Sequence, residues 1–417
     1  MLKFEDLSFL EIKNNNKYAL RVTLYRFFYK EFGSESIVEE FGKYSVHDNK
    51  IIFEGVDKER AEKKFMQSFR KYKKDLTYSL NGNKAIFVDE DLELPLIGLN
   101  FLGIVDKGSQ MIEIKPITNC NADCIFCSVN EGCSSKKSVD FVVDKDYLVF
   151  ELKELLAFKE YDGMSVWLNP HGEPTLYSKL SELCDDILND EHVKDISIIT
   201  NGILMDKNVV DELRKVSDAN KKKIKIALSV SGVDENKKIM GSNYPLDSVL
   251  KNMEYIASNL PMTITPVLLD GINDNDVKKI IEMSKSWSKK SMKSLGEDVN
   301  VIIQRFSANK RGRNPIKETT WDQFTEKMRD WEKETGVRLL LEWGKIMETK
   351  QLPLICKKGE NLKVKIISVG RQGNERIGIL ETKNGIRAIS LSGCLVDKGI
   401  VKSKIVQNKY NLYVGKC

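Results

Sequence analysis

The stretch PITNCNADCIFCSVNEG, residues 116–132, places three of the chain's eight cysteines within eight positions. Cys120, Cys124 and Cys127 follow the pattern C-x3-C-x2-C, too tight and asymmetric for a zinc knuckle, which wants two separated pairs. Three thiolates from one short loop can instead hold three irons of a [4Fe–4S] cube. The absent fourth ligand leaves one iron open to coordinate something else. A structural zinc site or an inert cluster is the competing reading. The other cysteines read differently. Cys133 is a free thiol at the core edge, with redox activity as the alternative, and Cys184 falls on the apolar face of a helical stretch. Cys356, Cys394 and Cys417 follow no metal spacing, and a second cluster there rests on their number alone.

The loop must be held by the elements around it. From about residue 108 short β-branched runs alternate with helical periodicity. The runs are Met111–Ile114, Ser165–Leu168, Ile196–Thr200, Ile224–Val230, Thr263–Leu269 and Val301–Phe306. Helices are expected at Lys145–Phe158, Tyr177–Leu188 and Leu246–Leu260. Six such alternations mean parallel strands with crossover helices, in an open sheet or a barrel. Ligands of such folds sit at the C-terminal ends of the strands, and the cysteine loop follows the first of them. A helix Trp321–Glu334 and a strand Val337–Glu342 are expected to close this unit.

C-x3-C-x2-C after the first strand of a partial (β/α)6 barrel, with the aromatic Phe126 before the third cysteine, resembles the radical S-adenosylmethionine (SAM) superfamily. The resemblance runs from Met111 to Glu342. It implies a cluster whose open iron chelates SAM and whose reduction releases methionine and a 5′-deoxyadenosyl radical. NPHGEPTL after the second strand looks like the family's GGEP motif, with His171 in place of the first Gly. By that likeness the backbone at Gly172, Glu173 and Pro174 holds the SAM amino group. Thr200, Asn201 and Gly202 follow the third strand as in relatives. Ser229 or Ser231 is implied for the ribose, Val267 and Leu268 for the adenine, and Gln304 and Arg305 for substrate or the SAM carboxylate.

The two ends have other styles. Residues 1–105 hold no cysteine and form an N-terminal α+β domain, with strands at Ala19–Leu24 and Lys50–Phe53. Its amphipathic helix Lys58–Lys74 aligns Phe65, Phe69 and Tyr72, and its basic face is solvated. Residues 106–350 are the partial barrel, and 354–417 read as a small antiparallel β-barrel with Gly and Asn-Gly turns. The fold class is α/β, with α+β and all-β appendages. From Lys357 to Cys417 there are ten Lys and three Arg against four acids, a net +9, so the rest carries −4 of the overall +5. That asymmetry suits a polyanion. The tail resembles the TRAM domain of tRNA- and rRNA-modifying enzymes, which implies structured RNA, and tRNA foremost, as partner. Arg371, Arg376, Arg387, Lys402, Lys404 and Lys409 are its candidate phosphate contacts, with Tyr410 and Tyr413 for stacking.

The resemblance also implies a reducing electron donor such as a ferredoxin. TRAM-bearing methylthiotransferases need cysteines in an N-terminal domain, and none precedes Cys120. The D-x-H-x-x-G signature of cobalamin domains is absent too, although cobalamin can bind without it. The alternative substrate is a protein or peptide side chain, for example in C-methylation, with cobalamin as a further cofactor. Whether the enzyme is a transferase or an oxidoreductase stays open. The charged N-terminus and the absence of a long apolar run point to a cytoplasmic protein without a membrane span.

Overall fold

The computed structural model describes residues 3–14, 17–132, 134–341 and 345–417. Cys133 and Glu342, each part of an expectation above, lie outside these.

The central sheet has seven strands, in the order Asn300–Val301, Met262–Ile264, Lys223–Leu228, Val193–Thr200, Met164–Leu168, Met111–Lys115 and Gly103–Asp106. The six from Met111 onward run parallel, and Gly103–Asp106 is an antiparallel edge. Helices Lys145–Lys159, Leu180–Leu188, Lys207–Asn220, Leu246–Asn259 and Asp274–Leu295 make the crossovers, as buried parallel strands require. Asp144 and Asp206 cap two of them, accepting from the amides of Tyr147 and Val209.

Two expected strands break in half. Thr263–Leu269 becomes Met262–Ile264 and Val267–Leu268, and Val301–Phe306 becomes Asn300–Val301 and Gln304–Arg305. Pro266 has no N–H to donate to the ladder, and beyond it the chains re-pair in register, Val267 with Gln304. The expected closing strand does not form over 337–341. The Glu332 carboxylate takes the amides of Leu339 (2.6 Å) and Leu340 (2.9 Å) instead of a neighbouring strand.

The N-terminal region is a second sheet: Leu7–Asn14, Lys17–Leu24, Phe28–Gly33, Leu76–Tyr78 and Lys84–Val88, antiparallel in that order. Helix Lys58–Phe69 packs on it through Ala61, Phe65, Met66 and Phe69, with Phe65 ringed by Phe4, Phe9, Phe41 and Phe53. Chain is exchanged across residue 105. Val139–Val143, wholly buried, leaves the cysteine region and pairs in parallel with Lys84–Val88, while Gly103–Asp106 joins the central sheet.

The tail closes into a five-stranded barrel of Asn361–Val369, Glu375–Thr382, Gly385–Ser392, Val414–Lys416 and Gly399–Gln407. One seam departs from the antiparallel expectation, since Gly385–Ser392 and Val414–Lys416 run parallel. The barrel has its own core around Val364, Leu380, Leu391 and Ile405, yet its Ile377 and Ala388 belong to the main core. At this junction Gly98, with φ +136°, would put a Cβ 1.9 Å from the Ala388 carbonyl oxygen, so only glycine lets the two backbones meet.

Candidate active site

The cysteine loop leaves the first parallel strand and is tied down on every side. Asn119 takes a φ of 79°, which Asn tolerates better than most residues, and turns the chain into Cys120. Its amide donates to the His171 carbonyl (3.1 Å) and its carbonyl accepts from the Glu173 amide (2.9 Å). Gly172 lies between them, where a Cβ would stand 2.0 Å from the Asn119 oxygen. The HGEP segment therefore packs directly against the residue before the first cysteine. Farther along, the Asp123 and Ile125 amides donate to the carbonyls of Met240 and Ile239 (3.1 and 3.0 Å).

The three cysteines are half-buried and unpaired. Burial first, then the Glu173 charge and Cys124, pushes Cys120 well above the usual thiol range; burial and then Cys127 push Cys124 up to about 12. Metal binding reverses this, because a coordinating thiol gives up its proton. N–H groups already face the sulfurs. Cys120 Sγ is met by Ala122 N (3.4 Å) and Asn201 Nδ2 (3.5 Å), and Cys127 Sγ by Glu131 N (3.3 Å). Among the described residues no three His, Cys, Asp or Glu side chains close on a single ion. A donor set of three thiols spread over one loop, with amides aimed at sulfur, fits an iron–sulfur cube, whose irons are held at separate corners.

Glu173 is the buried tie between the second and third strand ends. Its carboxylate accepts from Thr200 Oγ1 (2.6 Å), Asn201 N (2.8 Å), Thr175 Oγ1 (2.8 Å) and Thr175 N (3.1 Å). Burial raises its pKa against these four donors. Asn201, held this way, reaches both Asn121 Oδ1 (2.8 Å) and the Cys120 sulfur. Pro174 is buried at the start of the short turn that follows.

The remaining sequence candidates divide. Phe126 is buried beneath the loop at 9% exposure, and Ser229 is half-buried at the fourth strand end. Ser231 is wholly buried, its Oγ accepting from Val267 N (2.9 Å), so it has no surface for a ribose. Val267 is half-buried but Leu268 points into the core. Arg305 turns away to Glu318 and the Thr319 carbonyl and stacks on Trp321 at 4.5 Å, while Gln304 is exposed. In the tail, Arg371, Arg376 and Tyr413 are corrections to the RNA face. Arg371 is buried where the barrel packs on the body, in ion pairs with Glu131 and Asp140; Arg376 is buried within the barrel, bonding the Gly373 carbonyl and Asp397, and Tyr413, 1% exposed, sits in the barrel's own core. Arg387 is half-buried, its guanidinium returning to the Ile386 carbonyl (2.8 Å).

Two arginines that the sequence reading did not assign to the loop are its principal anchors. Arg313, after the sixth strand, donates to Asp123 Oδ1 (2.6 Å), Ser134 Oγ (2.7 Å), Asn130 Oδ1 (2.8 Å), and the carbonyls of Cys124 (2.9 Å) and Glu131 (3.0 Å). Arg371 comes from the tail. It grips Glu131 through both carboxylate oxygens (2.6 and 2.7 Å) and bonds Asp140, Thr118 and the Val139 carbonyl. Asp140 in turn accepts from Asn81 and Asn83 of the N-terminal sheet (2.9 and 3.1 Å). All three regions of the chain thus meet under the cysteine loop. The segment QRFSANKRGRNP flagged the vicinity of Arg313, whereas nothing in the sequence connects Arg371 to residues some 240 positions earlier.

The family model of the radical SAM superfamily matches residues 114–284, from the end of the first parallel strand into helix Asp274–Leu295. An uncharacterised protein of Methanocaldococcus jannaschii is 30% identical over 369 residues, which cover 82% of each chain. GTP 3′,8-cyclase of Clostridium botulinum is 25% identical over 190 residues, 44% of this chain and 56% of the cyclase, so little more than half of that enzyme is spanned. A structure of spore photoproduct lyase with bound AdoMet aligns over 60% of this chain and 79% of the lyase, at 12% identity and a TM-score of 0.42. Sequence match and cysteine loop agree, and the chain carries a radical SAM superfamily domain over residues 114–284, of a family whose enzymes work with a [4Fe–4S] cluster and SAM.

Proposed function

We propose that this radical SAM enzyme, built on a partial (β/α)6 barrel, modifies a nucleoside in structured RNA, with tRNA foremost, and that its tail is a TRAM-like RNA-binding barrel. Cys120, Cys124 and Cys127 would hold the cluster, which, kept reduced by a donor such as a ferredoxin, would supply the electron for reductive cleavage of SAM. The chain's own residues hold and orient. Arg313 and Arg371 fix the loop, Asn201 and the Glu131 amide address its sulfurs, and the HGEP backbone would hold the SAM amino group.

The observation that carries the RNA reading is a row of lysines on the outer wall of the tail. Lys363 faces Lys402 and Lys404 faces Lys416 across the strand ladders, all four exposed. Like charges directly opposite on a sheet are destabilising. A polyanion lying over them converts that repulsion into attraction. Lys409 and Tyr410 are exposed nearby in sequence, the ammonium 4.6 Å from the ring centroid, which leaves an aromatic face for a base. A protein substrate is the second reading, favoured by Leu395 and Ile400, 76% and 68% exposed on the same barrel.

Filter binding of bulk tRNA to the full chain and to a K363E/K402E/K404E variant tests the proposal. Tight binding whose salt slope falls by about one unit per lysine removed is expected. Absence of tRNA binding at low salt would sink the RNA reading. Deleting the whole tail is a poorer test, since it also removes Arg371 from the cysteine loop.

A further inference from the structure

A cavity of ≈ 460 Å³ opens between the cysteine loop and the tail barrel. Its volume is in the range of small-molecule sites. Ser128 and Val129, the two residues after Cys127, form one wall; the loop Asn309–Arg311 forms another, and Arg371 and Gln372 of the tail a third. Lys137 and His171 also face it. Four cationic residues line the space, together with amides, a hydroxyl and an imidazole, and among the described residues no carboxylate does.

Those cations are not equivalent. Arg371 is committed to Glu131 and Asp140, and Lys137 to Glu131 (2.5 Å). Arg311 is half-exposed, with only a 3.3 Å approach to Glu375, and Lys310 has no carboxylate partner among the described residues. The committed pairs build the wall, and Lys310 and Arg311 are left to meet a ligand. Donors converging from several walls suit an oxyanion with three acceptor oxygens better than a flat carboxylate with two.

We propose that this cavity is a phosphate-binding subsite, in which Lys310 and Arg311 hold the phosphate of a nucleotide substrate beside the cluster. The proposal rests on the nucleoside reading above and narrows it. A phosphate clamped here fixes a nucleotide against the cysteine loop, and the tail is then a wall of the substrate site as well as a distant anchor. The phosphate could belong to an RNA backbone or to a free nucleotide; the chemistry recognised is the same.

Equilibrium binding to the anaerobically reconstituted full chain separates the cases. GTP, guanosine, inorganic pyrophosphate and bulk tRNA serve as probes, against the wild type and the K310E and R311Q variants. Lys310 is exposed and without a carboxylate partner among the described residues, so K310E is expected to fold, with unchanged circular dichroism and iron content. At least tenfold tighter binding of GTP than of guanosine, competition by pyrophosphate, and loss of that advantage in K310E and R311Q identify a free nucleotide. Binding of tRNA alone, weakened at least tenfold by the same variants and displaced by pyrophosphate, identifies a phosphate within RNA. Equal or absent binding of GTP and guanosine, together with tRNA binding indifferent to both variants, overturns the subsite. Release of 5′-deoxyadenosine from SAM with dithionite is measured alongside. If it persists while phosphate dependence is missing, the subsite fails and the radical SAM assignment stands; if SAM is not cleaved, the assignment itself fails whatever binds.

Discussion

Replacing Arg371 by alanine is expected to loosen the cysteine loop, although residue and loop belong to opposite ends of the chain. The guanidinium is 3% exposed, between Glu131 at 2% and Asp140 at 1%. Removing one partner of a buried ion pair costs about 3–5 kcal/mol, mostly because the remaining charge is stranded. Here Glu131 keeps Lys137, and Asp140 keeps Thr118, Asn81 and Asn83, so the lower end applies. About 3 kcal/mol corresponds to roughly a hundredfold greater opening of the loop, at 1.4 kcal/mol per factor of ten. The effect has a pH signature. Burial already raises the Glu131 pKa above its unfolded value, against the opposing pull of Arg371 and Lys137. Without Arg371 it rises further, and a raised carboxyl favours the folded state only while protonated. The R371A deficit should therefore be largest at pH 8 and shrink toward pH 6. An E131Q/R371A double variant, with no stranded charge at 131, should recover part of the loss. Hydrogen exchange of peptides spanning residues 116–140 measures the opening, and iron release to a chelator gives a second readout. If R371A exchanges within about threefold of wild type across that pH range, the arginine does not hold the loop and the reasoning is wrong.

Two further outcomes are expected. Alanine at Cys120, Cys124 or Cys127 should abolish 5′-deoxyadenosine release and deplete iron, whereas alanine at the buried Cys184 should lower only stability, by about 1 kcal/mol for the lost apolar volume, with iron content and SAM cleavage as readouts. A G172A variant must move Asn119, since the new methyl would lie 2.0 Å from its carbonyl oxygen; reduced iron loading with retained circular dichroism is the expected result.

Much of the site was legible in the sequence because it is local. The three cysteines sit within eight residues, and HGEP and TNG follow consecutive strands, so spacing and strand periodicity alone could place them at one end of a parallel sheet. Six strand positions were likewise readable, since buried parallel strands are runs of β-branched residues whatever their surroundings. The breaks at Pro266 and the missing strand after Gly336 were not. They depend on which backbone groups find partners, and the side chain of Glu332 outbid a neighbouring strand for two amides. Tertiary structure alone decided the roles of single charged residues. Arg371 counted in the sequence as one more basic residue of a basic tail, yet it is buried against Glu131 and Asp140, while Lys363 and Lys416, unremarked in the sequence, face outward with Lys402 and Lys404. Composition counts charge without direction. Whether a cation meets a carboxylate 240 residues away or the solvent is fixed only when the tail barrel docks, because that docking chooses which charges leave water.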